Sequence, residues 1–218
     1  MEKIVIAGGP QINVDLLLPY LKKAEHILAA DSGANWLYKC GVLPDRLIGD
    51  LDSIGEETLQ WIKQNQIHTD IYPIEKDMTD SEMCLRELGN ECRILFVTSL
   101  TGRPDHVLSN LLLCGKLTEE GFDICMTDGT SWIYPLCGPA HFVFTDWQKK
   151  NLPVISLLPL FSPVTGVTTE GLHYPLIDAT LNPGSSFSVS NCFSSSASEK
   201  KSTVHIESGV LLLMLVND

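Results

Sequence analysis

The chain has 218 residues, 44% of them hydrophobic, and its formal net charge is −12. This hydrophobic content can form a sizeable core and excludes a globally disordered chain, while the length allows one large domain or two small ones. The acidic charge argues against nucleic acid or an anionic membrane surface as the main partner, although a bound metal could still attract a phosphate ligand locally.

The seven cysteines favour a reducing compartment. Their number is odd and no C-x-x-C pair occurs, so we expect neither a disulfide framework nor a zinc site. The chain begins with an apolar strand pattern rather than a signal peptide, and its longest apolar run, 210–216, is too short to span a bilayer. We therefore expect a cytoplasmic protein without a membrane segment.

Short apolar runs alternate with helical patterns in the first 129 residues. Strands are predicted at residues 4–7, 26–30, 44–48, 67–72, 93–97 and 122–126. Helices are predicted at residues 15–23, 35–39 and 56–65, from Asp80 onwards, and from 106 to 117. This alternation is typical of a parallel sheet covered on both faces, so residues 1–129 are predicted to form a Rossmann-like α/β domain.

Polar residues follow the predicted strands rather than precede them. In chain order they are Gly8 with Gly9, Asp31, Asp50 with Asp52, Asp77 with Asp80, and Arg103 with Asp105. Because the carboxyl ends of parallel strands meet at one sheet edge, where ligands bind, we expect these residues to gather there. Carboxylates suit Mg²⁺, a hard cation that binds one or two of them together with phosphate oxygens. The sequence therefore predicts a magnesium–phosphate site at this edge.

Several of these residues also have a structural explanation. Asp80 could stabilise a helix N-terminus, and Asn35 could cap another helix. Arg103 and Asp105 could form a surface ion pair of little energetic value. Against that, a glycine before Arg103 would let the backbone approach a ligand, and a planar guanidinium suits phosphate. Lys76 fits a phosphate contact and a solvated surface position equally well.

After residue 129 the helical patterns stop. Seven short strands are predicted between Gly, Pro and Ser residues, at 131–136, 141–144, 154–158, 164–168, 187–189, 203–206 and 210–216. They indicate an all-β, sandwich or barrel-like domain over residues 130–218. Ser208 and Gly209 predict a hairpin turn between the last two strands, and residues 194–202 predict a mobile polar loop. The apolar run 210–216 fits either a buried core strand or a surface covered by a partner.

The ordered motifs resemble those of bacterial thiamine pyrophosphokinases. They are ADSGAN at 30–35, GDLDS at 49–53, KDMTDSE at 76–82 and GRPDH at 102–106. GLHYPL at 171–176 and SVSN at 188–191 resemble the substrate-binding domain of that family. Each motif alone is weak, but the set covers most of the chain in order. Ser32 departs from the family, which commonly has a second glycine there, and Pro104 stands where Leu or Phe is usual.

The resemblance implies an enzyme that transfers the diphosphate of ATP to the hydroxyl of thiamine, giving thiamine diphosphate and AMP. It also implies a homodimer whose active sites combine the catalytic domain of one subunit with the β-domain of the other. Two other functions stay open. A related diphosphokinase could act on a hydroxymethylpterin with the same carboxylates, and a non-catalytic nucleotide or thiamine sensor would not need the full set of acids.

The resemblance also assigns roles to residues. It implies one or two Mg²⁺ ions held by Asp50, Asp52, Asp77 and Asp80. It implies catalytic roles for Asp52, Arg103 and Asp105, with Asp105 either orienting Arg103 or joining the metal shell. The residues assigned to the nucleotide are Gly8, Gly9, Asp31, Asn35 and Lys76. Those assigned to thiamine are Tyr174, Ser188, Ser190 and Asn191.

Overall fold

The computed structural model describes residues 2–73, 75–145, 153–195 and 202–217. Two compact units are distinguished, Met1–Leu113 with Gly121–Thr130, and Cys114–Glu120 with Ser131–Asp218. The predicted domain boundary after residue 129 lies next to the division between residues 130 and 131, whereas the assignment of 114–120 to the second unit was not predicted. Most of the predicted mobile loop, residues 196–201, lies outside the described part of the chain.

Six parallel strands form the sheet of the first unit, in the order β4-β3-β2-β1-β5-β6. β1, in the middle, is buried along Ile4, Val5 and Ile6, as expected of a β-branched run in a parallel sheet. The predicted α/β architecture is therefore confirmed. The strands are β1 (Glu2–Ala7), β2 (His26–Ala30), β3 (Arg46–Gly49), β4 (His68–Ile71), β5 (Arg93–Val97) and β6 (Asp123–Thr127).

A helix follows each of the first five strands. The helices are α1 (Val14–Leu21), α2 (Gly33–Cys40), α3 (Glu56–Gln64), α4 (Asp80–Leu88) and α5 (Pro104–Glu119). Residue 41 ends α2 because a glycine adopts the left-handed conformation there at low cost, with φ +65°. The start of α4 is confirmed, since Thr79 Oγ1 accepts a hydrogen bond from the Glu82 backbone N–H at 3.2 Å. Among the described residues, no helix has both the length and the apolar character needed to cross a bilayer.

Two groups of antiparallel strands account for most of the second unit, which confirms the prediction of a β-rich C-terminal part. One has the order β7-β13-β9 and the other the order β11-β10-β12-β8. The strands are β7 (Trp132–Cys137), β8 (Ala140–Val143), β9 (Val154–Pro159), β10 (Val164–Glu170), β11 (Ala179–Leu181), β12 (Thr203–Ile206) and β13 (Val210–Val216).

The predicted hairpin at Ser208 and Gly209 is wrong, because β12 and β13 belong to different sheets. The connecting backbone pairs with Thr165 instead, whose N–H donates to Ser208 O and whose carbonyl accepts from Glu207 N–H. The predicted strand at 187–189 is also wrong: these residues form a turn, and Phe187 is 70% exposed. The turn contacts β9 only at single points, since Ser188 O accepts a hydrogen bond from the Leu157 N–H at 2.9 Å, and a continuous strand ladder does not form there.

The apolar run of β13 is a core strand. It lies between β7 and β9, hydrogen-bonded on both sides, and Leu211, Leu212 and Leu213 are almost completely buried. The alternative interpretation, in which this run offers a surface for a partner, is therefore wrong. A middle strand with both faces covered buries consecutive side chains, which explains why the sequence of β13 is apolar without interruption.

The N-cap of α4 gives a measurable prediction of stability. Thr79→Ala should lower the free energy of unfolding by about 1 kcal/mol, because it removes the side-chain acceptor of the Glu82 N–H. Urea denaturation followed by circular dichroism measures this change. Thr79→Ser keeps the hydroxyl and should stay close to the unsubstituted protein. Equal losses in both variants would show that the hydroxyl does not stabilise α4.

Candidate active site

A cleft of about 770 Å³ opens in the first unit where strands of the parallel sheet end. This volume is within the range of pockets that bind small ligands. Two further predicted residues contact its wall: Asn35 bonds to Ser53, and Asp105 bonds to Arg103. The predicted site residues that line the cleft are Gly8, Gly9, Asp31, Asp50, Asp52, Lys76, Asp77, Asp80 and Arg103.

Three carboxylates form the centre of the cleft. Asp31, Asp50 and Asp52 each place an oxygen within 4.8 Å of the other two. Asp31 adopts the left-handed conformation, φ +46°, which Asp tolerates better than most residues. The group differs from the predicted set of metal ligands, because Asp31 belongs to it while Asp77 and Asp80 line the cleft outside it.

The donor set of this carboxylate triad fits a hard divalent cation. One oxygen of Asp31, Oδ2, accepts a hydrogen bond from the Ser53 hydroxyl. The other, Oδ1, is buried and has no hydrogen-bond partner in the structure. Buried polar atoms are almost always satisfied, so this oxygen calls for a partner such as a metal ion. Carboxylate oxygens suit Mg²⁺, which usually binds one or two carboxylates together with phosphate oxygens and water.

Repulsion within the triad is visible in the ionisation of Asp52. The charge of Asp50 is the main reason why the pKa of Asp52 lies above its ordinary value, and Asp31 and Asp80 act in the same direction. The two carboxylates stay close in spite of this repulsion, because the Asp52 backbone N–H donates a hydrogen bond to Asp50 Oδ1 at 3.2 Å. The loop therefore holds the two acids close together.

Lys76 lies on one side of the acids. Its ammonium is 3.0 Å from Asp80 Oδ1 and 3.8 Å from Asp50 Oδ2. Burial raises the pKa of Asp80, and the nearby Lys76 opposes that shift. Asp77, by contrast, is exposed at the margin of the cleft. Lys76 is thus the ammonium group that partly neutralises the acidic wall.

The start of α2 ties two loops of the cleft together. Asn35 Nδ2 donates to Ser53 O at 3.1 Å, and Asn35 Oδ1 accepts from Gly55 N–H at 3.0 Å. The neighbouring Trp36 donates from Nε1 to Gly9 O at 3.2 Å. Asn35 was predicted to bind the nucleotide or cap a helix, and the structure uses both its polar atoms to hold the acidic loop. Nothing in the sequence indicated the contact of Trp36.

Packing explains the glycines of the cleft. A Cβ on Gly8 would lie 1.8 Å from Ser32 Oγ, and a Cβ on Gly9 would lie 2.3 Å from Ser99 Cβ. Gly102 has φ +96°, and a Cβ there would lie 2.7 Å from Pro10 Cγ. The suggestion that Gly102 serves close approach of a ligand is therefore unnecessary, because its backbone conformation and neighbours already exclude a side chain.

Arg103 and Asp105 form a two-contact ion pair at the start of α5. The distances are 3.2 Å from Nε to Oδ1 and 2.6 Å from Nη2 to Oδ2. The hydrogen bonds from Arg103 lower the pKa of Asp105 to about 2. Both side chains are mostly exposed, so this pair adds little to stability. The geometry agrees with Asp105 orienting Arg103, and Asp105 lies outside the carboxylate triad.

The predicted thiamine residues of the second unit divide into an exposed and a supporting group. Tyr174 is 64% exposed, and Ser190 is exposed with φ +63°. Asn191 supports Tyr174, since its Oδ1 accepts from the Tyr174 N–H at 3.1 Å and its Nδ2 donates to the Tyr174 carbonyl at 2.8 Å. Ser188 is buried and donates to Leu157 O at 2.5 Å. Ser188, Ser190 and Asn191 were all predicted to contact the edge of the ligand. Of the three, the exposed Ser190 suits such a contact best.

Comparisons with known proteins cover both halves of the chain. The family model described as "Thiamin pyrophosphokinase, catalytic domain" matches residues 17–126. A second one, "Thiamin pyrophosphokinase, vitamin B1 binding domain", matches residues 146–211. The thiamine pyrophosphokinase of Bacillus subtilis (strain 168) is 26% identical over 216 residues, which cover 98% of each chain.

Solved structures agree with this match. The crystal structure of thiamine pyrophosphokinase from Bacillus subtilis superposes with a TM-score of 0.84 at 26% identity, covering 100% of both chains. That of the thiamin pyrophosphokinase from Geobacillus thermodenitrificans superposes with a TM-score of 0.81 at 25% identity, covering 100% of this chain and 98% of the other. The similarity therefore extends over both units.

The crowding of Asp50 and Asp52 can be measured without any ligand. Asp50→Asn should lower the pKa of Asp52 towards its ordinary value, because it removes the main repelling charge. A carboxyl-carbon NMR titration in metal-free buffer follows this change. Asp45→Asn, before the opposite end of β3, is the matched control and should leave the Asp52 titration unchanged. An unaltered pKa of Asp52 in Asp50→Asn would mean that the two acids do not interact.

Proposed function

The chain belongs to the thiamine pyrophosphokinase family, and we propose from that membership that it transfers the diphosphate of ATP to thiamine. The match of its second half to a vitamin B1 binding domain is the observation that carries the choice of acceptor. This match does not favour a hydroxymethylpterin as the acceptor. A sensor is not favoured either, because it would have no need of a carboxylate triad in the cleft.

The transfer requires little covalent work from the protein. The primary hydroxyl oxygen of thiamine attacks the β-phosphorus of ATP, and the bond from that phosphorus to the oxygen bridging to the α-phosphorus breaks. AMP leaves with that oxygen, the hydroxyl loses its proton, and thiamine diphosphate is formed. Catalysis of such a reaction depends mainly on positioning and on neutralising charge. A cleft rich in carboxylates with one guanidinium at its margin suits this task.

We assign Mg²⁺ to the carboxylate triad. Asp31, Asp50 and Asp52 would hold the ion, and Asp77 and Asp80 would contribute through water molecules in its outer shell. When bound, the ion supplies positive charge to the phosphate oxygens. The unpartnered buried oxygen of Asp31 supports this assignment. Ser53 would keep Asp31 in place through its hydroxyl, and Asn35 would keep the acidic loop in register.

Arg103 is proposed to neutralise the transferring diphosphate. Its guanidinium is largely exposed at the cleft and is held from one side by Asp105, so its remaining N–H groups are available to phosphate oxygens. Gly8 and Gly9 would shape the nucleotide pocket, because the absence of a Cβ lets Ser32 and Ser99 pack against them in the wall of the cleft. Lys76, which also lines the cleft, would contact the phosphates with its ammonium.

Tyr174 is proposed to stack on the aminopyrimidine of thiamine, a cationic ligand that favours an aromatic face. Its exposure leaves the ring accessible, and the two hydrogen bonds between Asn191 and the Tyr174 backbone hold the main chain that carries it. Ser190, exposed beside this support, would bond the edge of the pyrimidine, while the buried Ser188 would stabilise the turn. Asn191 is thus a positioning residue in this proposal.

We further propose a homodimer with shared active sites, on the basis of the family resemblance. The carboxylates and the thiamine residues lie in different units of the chain. Tyr174, Ile177 and Phe187 are large apolar side chains exposed on loops of the second unit, and a partner subunit would cover such groups. We also expect a cytoplasmic location.

The function is tested by product analysis. Purified protein with Mg-ATP and thiamine should release AMP and thiamine diphosphate in equal amounts, because the reaction moves the diphosphate intact. Chromatography of the nucleotides and of thiamine diphosphate measures both products. A hydroxymethylpterin in place of thiamine is the control acceptor and should yield no AMP. AMP formation with the pterin alone, or none with either acceptor, would contradict the proposal.

Shared sites are tested by complementation. Asp52→Asn should lower the rate on the order of 10²-fold or more, because it removes a metal ligand from every site. Tyr174→Ala should lower it about 10-fold or more, because it removes the aromatic face proposed to contact thiamine. After subunit exchange, an equal mixture should regain about a quarter of the normal number of sites, because half of the dimers then contain one intact site. Product formation before and after exchange is the measurement.

The control mixture combines Asp52→Asn with Asp50→Asn. Both lesions then lie in the same unit of the chain, so every site stays damaged and no activity should return. A mixture of Asp52→Asn and Tyr174→Ala that exchanges subunits and remains inactive would mean that each chain carries its own complete site.

A further inference from the structure

We infer that Lys76 is the counter-cation of the acidic cleft when no ligand is bound, so that it opposes metal binding until a nucleotide engages it. Its ammonium lies 3.0 Å from Asp80 Oδ1 and 3.8 Å from Asp50 Oδ2. Asp50 also belongs to the carboxylate triad. Lys76 and a metal ion would therefore share one carboxylate. This inference rests on the proposed function, since it concerns the same cation and nucleotide.

Burial makes this contact effective. The side chains of Lys76 and Asp50 are each 15% exposed, and that of Asp80 is 20% exposed. Charges shielded from water in this way interact more strongly than charges on the surface. By contrast, Arg103, the guanidinium that lines the cleft, is 72% exposed and paired with Asp105. Lys76 is thus the described basic residue that contacts both the triad and the wall beside it.

Lys76 can contact either the carboxylates of the cleft or a phosphate group from the same loop. Besides the two carboxylates, its ammonium donates to the carbonyl of Pro73 at 3.3 Å, which anchors the side chain within its own loop. The long, flexible stem of a lysine allows the charge to move by rotation about side-chain bonds. Phosphate groups in the cleft would offer an anionic partner, and the ammonium would then cease to compete for Asp50.

Binding of the nucleotide should consequently increase the affinity for the metal, and binding of the metal should increase the affinity for the nucleotide. A divalent cation that binds to the empty cleft meets the repulsion of Lys76, whereas one that arrives with phosphates finds this charge already neutralised. Removal of the charge should therefore strengthen binding of the metal alone. A lysine that served only as a phosphate contact would leave binding of the metal alone unchanged.

The test uses Mn²⁺ as a spectroscopic substitute for Mg²⁺, with the full chain and no nucleotide. Lys76→Gln should bind Mn²⁺ about tenfold more tightly than the unsubstituted protein, as measured by electron paramagnetic resonance of the free ion. Lys76→Arg keeps the charge and should stay within about twofold of the unsubstituted protein. Lys63→Gln, on the exposed face of α3, makes the same change in net charge and should have no effect.

Unchanged or weaker Mn²⁺ binding in Lys76→Gln would overturn the inference, as would equal tightening in Lys63→Gln or Lys76→Arg. If Lys76→Gln does not fold, Lys76→Met preserves the apolar stem and supplies the same comparison. The result is independent of catalysis. A chain that shows the Mn²⁺ shift but makes no AMP with thiamine contradicts the proposed function alone, and one that makes AMP without the shift contradicts only this inference.

Discussion

Mutual repulsion of carboxylates is the constraint on which the cleft depends. Asp31, Asp50 and Asp52 would separate if their loops were free, because like charges at this distance disfavour one another. The buried strands that precede them fix the start of each loop, since the parallel sheet sets where every strand ends. Hydrogen bonds then complete the restraint, from the Ser53 hydroxyl to Asp31 and from the Asp52 N–H to Asp50. The fold thus holds together a charge pattern that a cation can bind.

The sheet and the gathering of acids could be predicted because they depend on short-range patterns. Continuous β-branched runs such as Ile4–Ile6 indicate buried parallel strands, and polar residues after several strands must meet at one edge. The membership of Asp31 in the triad could not be predicted in the same way. It depends on a left-handed backbone at this residue and on the hydroxyl of Ser53, 22 positions later.

Long-range partners account for the rest of what the sequence did not reveal. Asn35 looks like a helix cap in sequence, yet both its polar atoms bond the backbone near Ser53. Asn191, expected to contact the ligand, also supports the backbone of Tyr174, a residue 17 positions away that the sequence did not indicate as its partner. The false hairpin at Ser208 reflects a turn signal that is local, whereas the choice of sheet for each flanking strand is set by distant pairing partners.

The close approach of Gly8 to Ser32 has an evolutionary consequence. A Cβ at position 8 would lie 1.8 Å from Ser32 Oγ and 2.9 Å from Ser32 Cβ, so alanine at position 8 would force Ser32 to move. The reverse change, from serine to glycine at position 32, only removes atoms. We therefore expect substitutions at the two positions to be epistatic: a larger residue 8 costs less once residue 32 is glycine. A lineage that acquires serine at position 32 tolerates a side chain at position 8 less well than one that keeps glycine at 32.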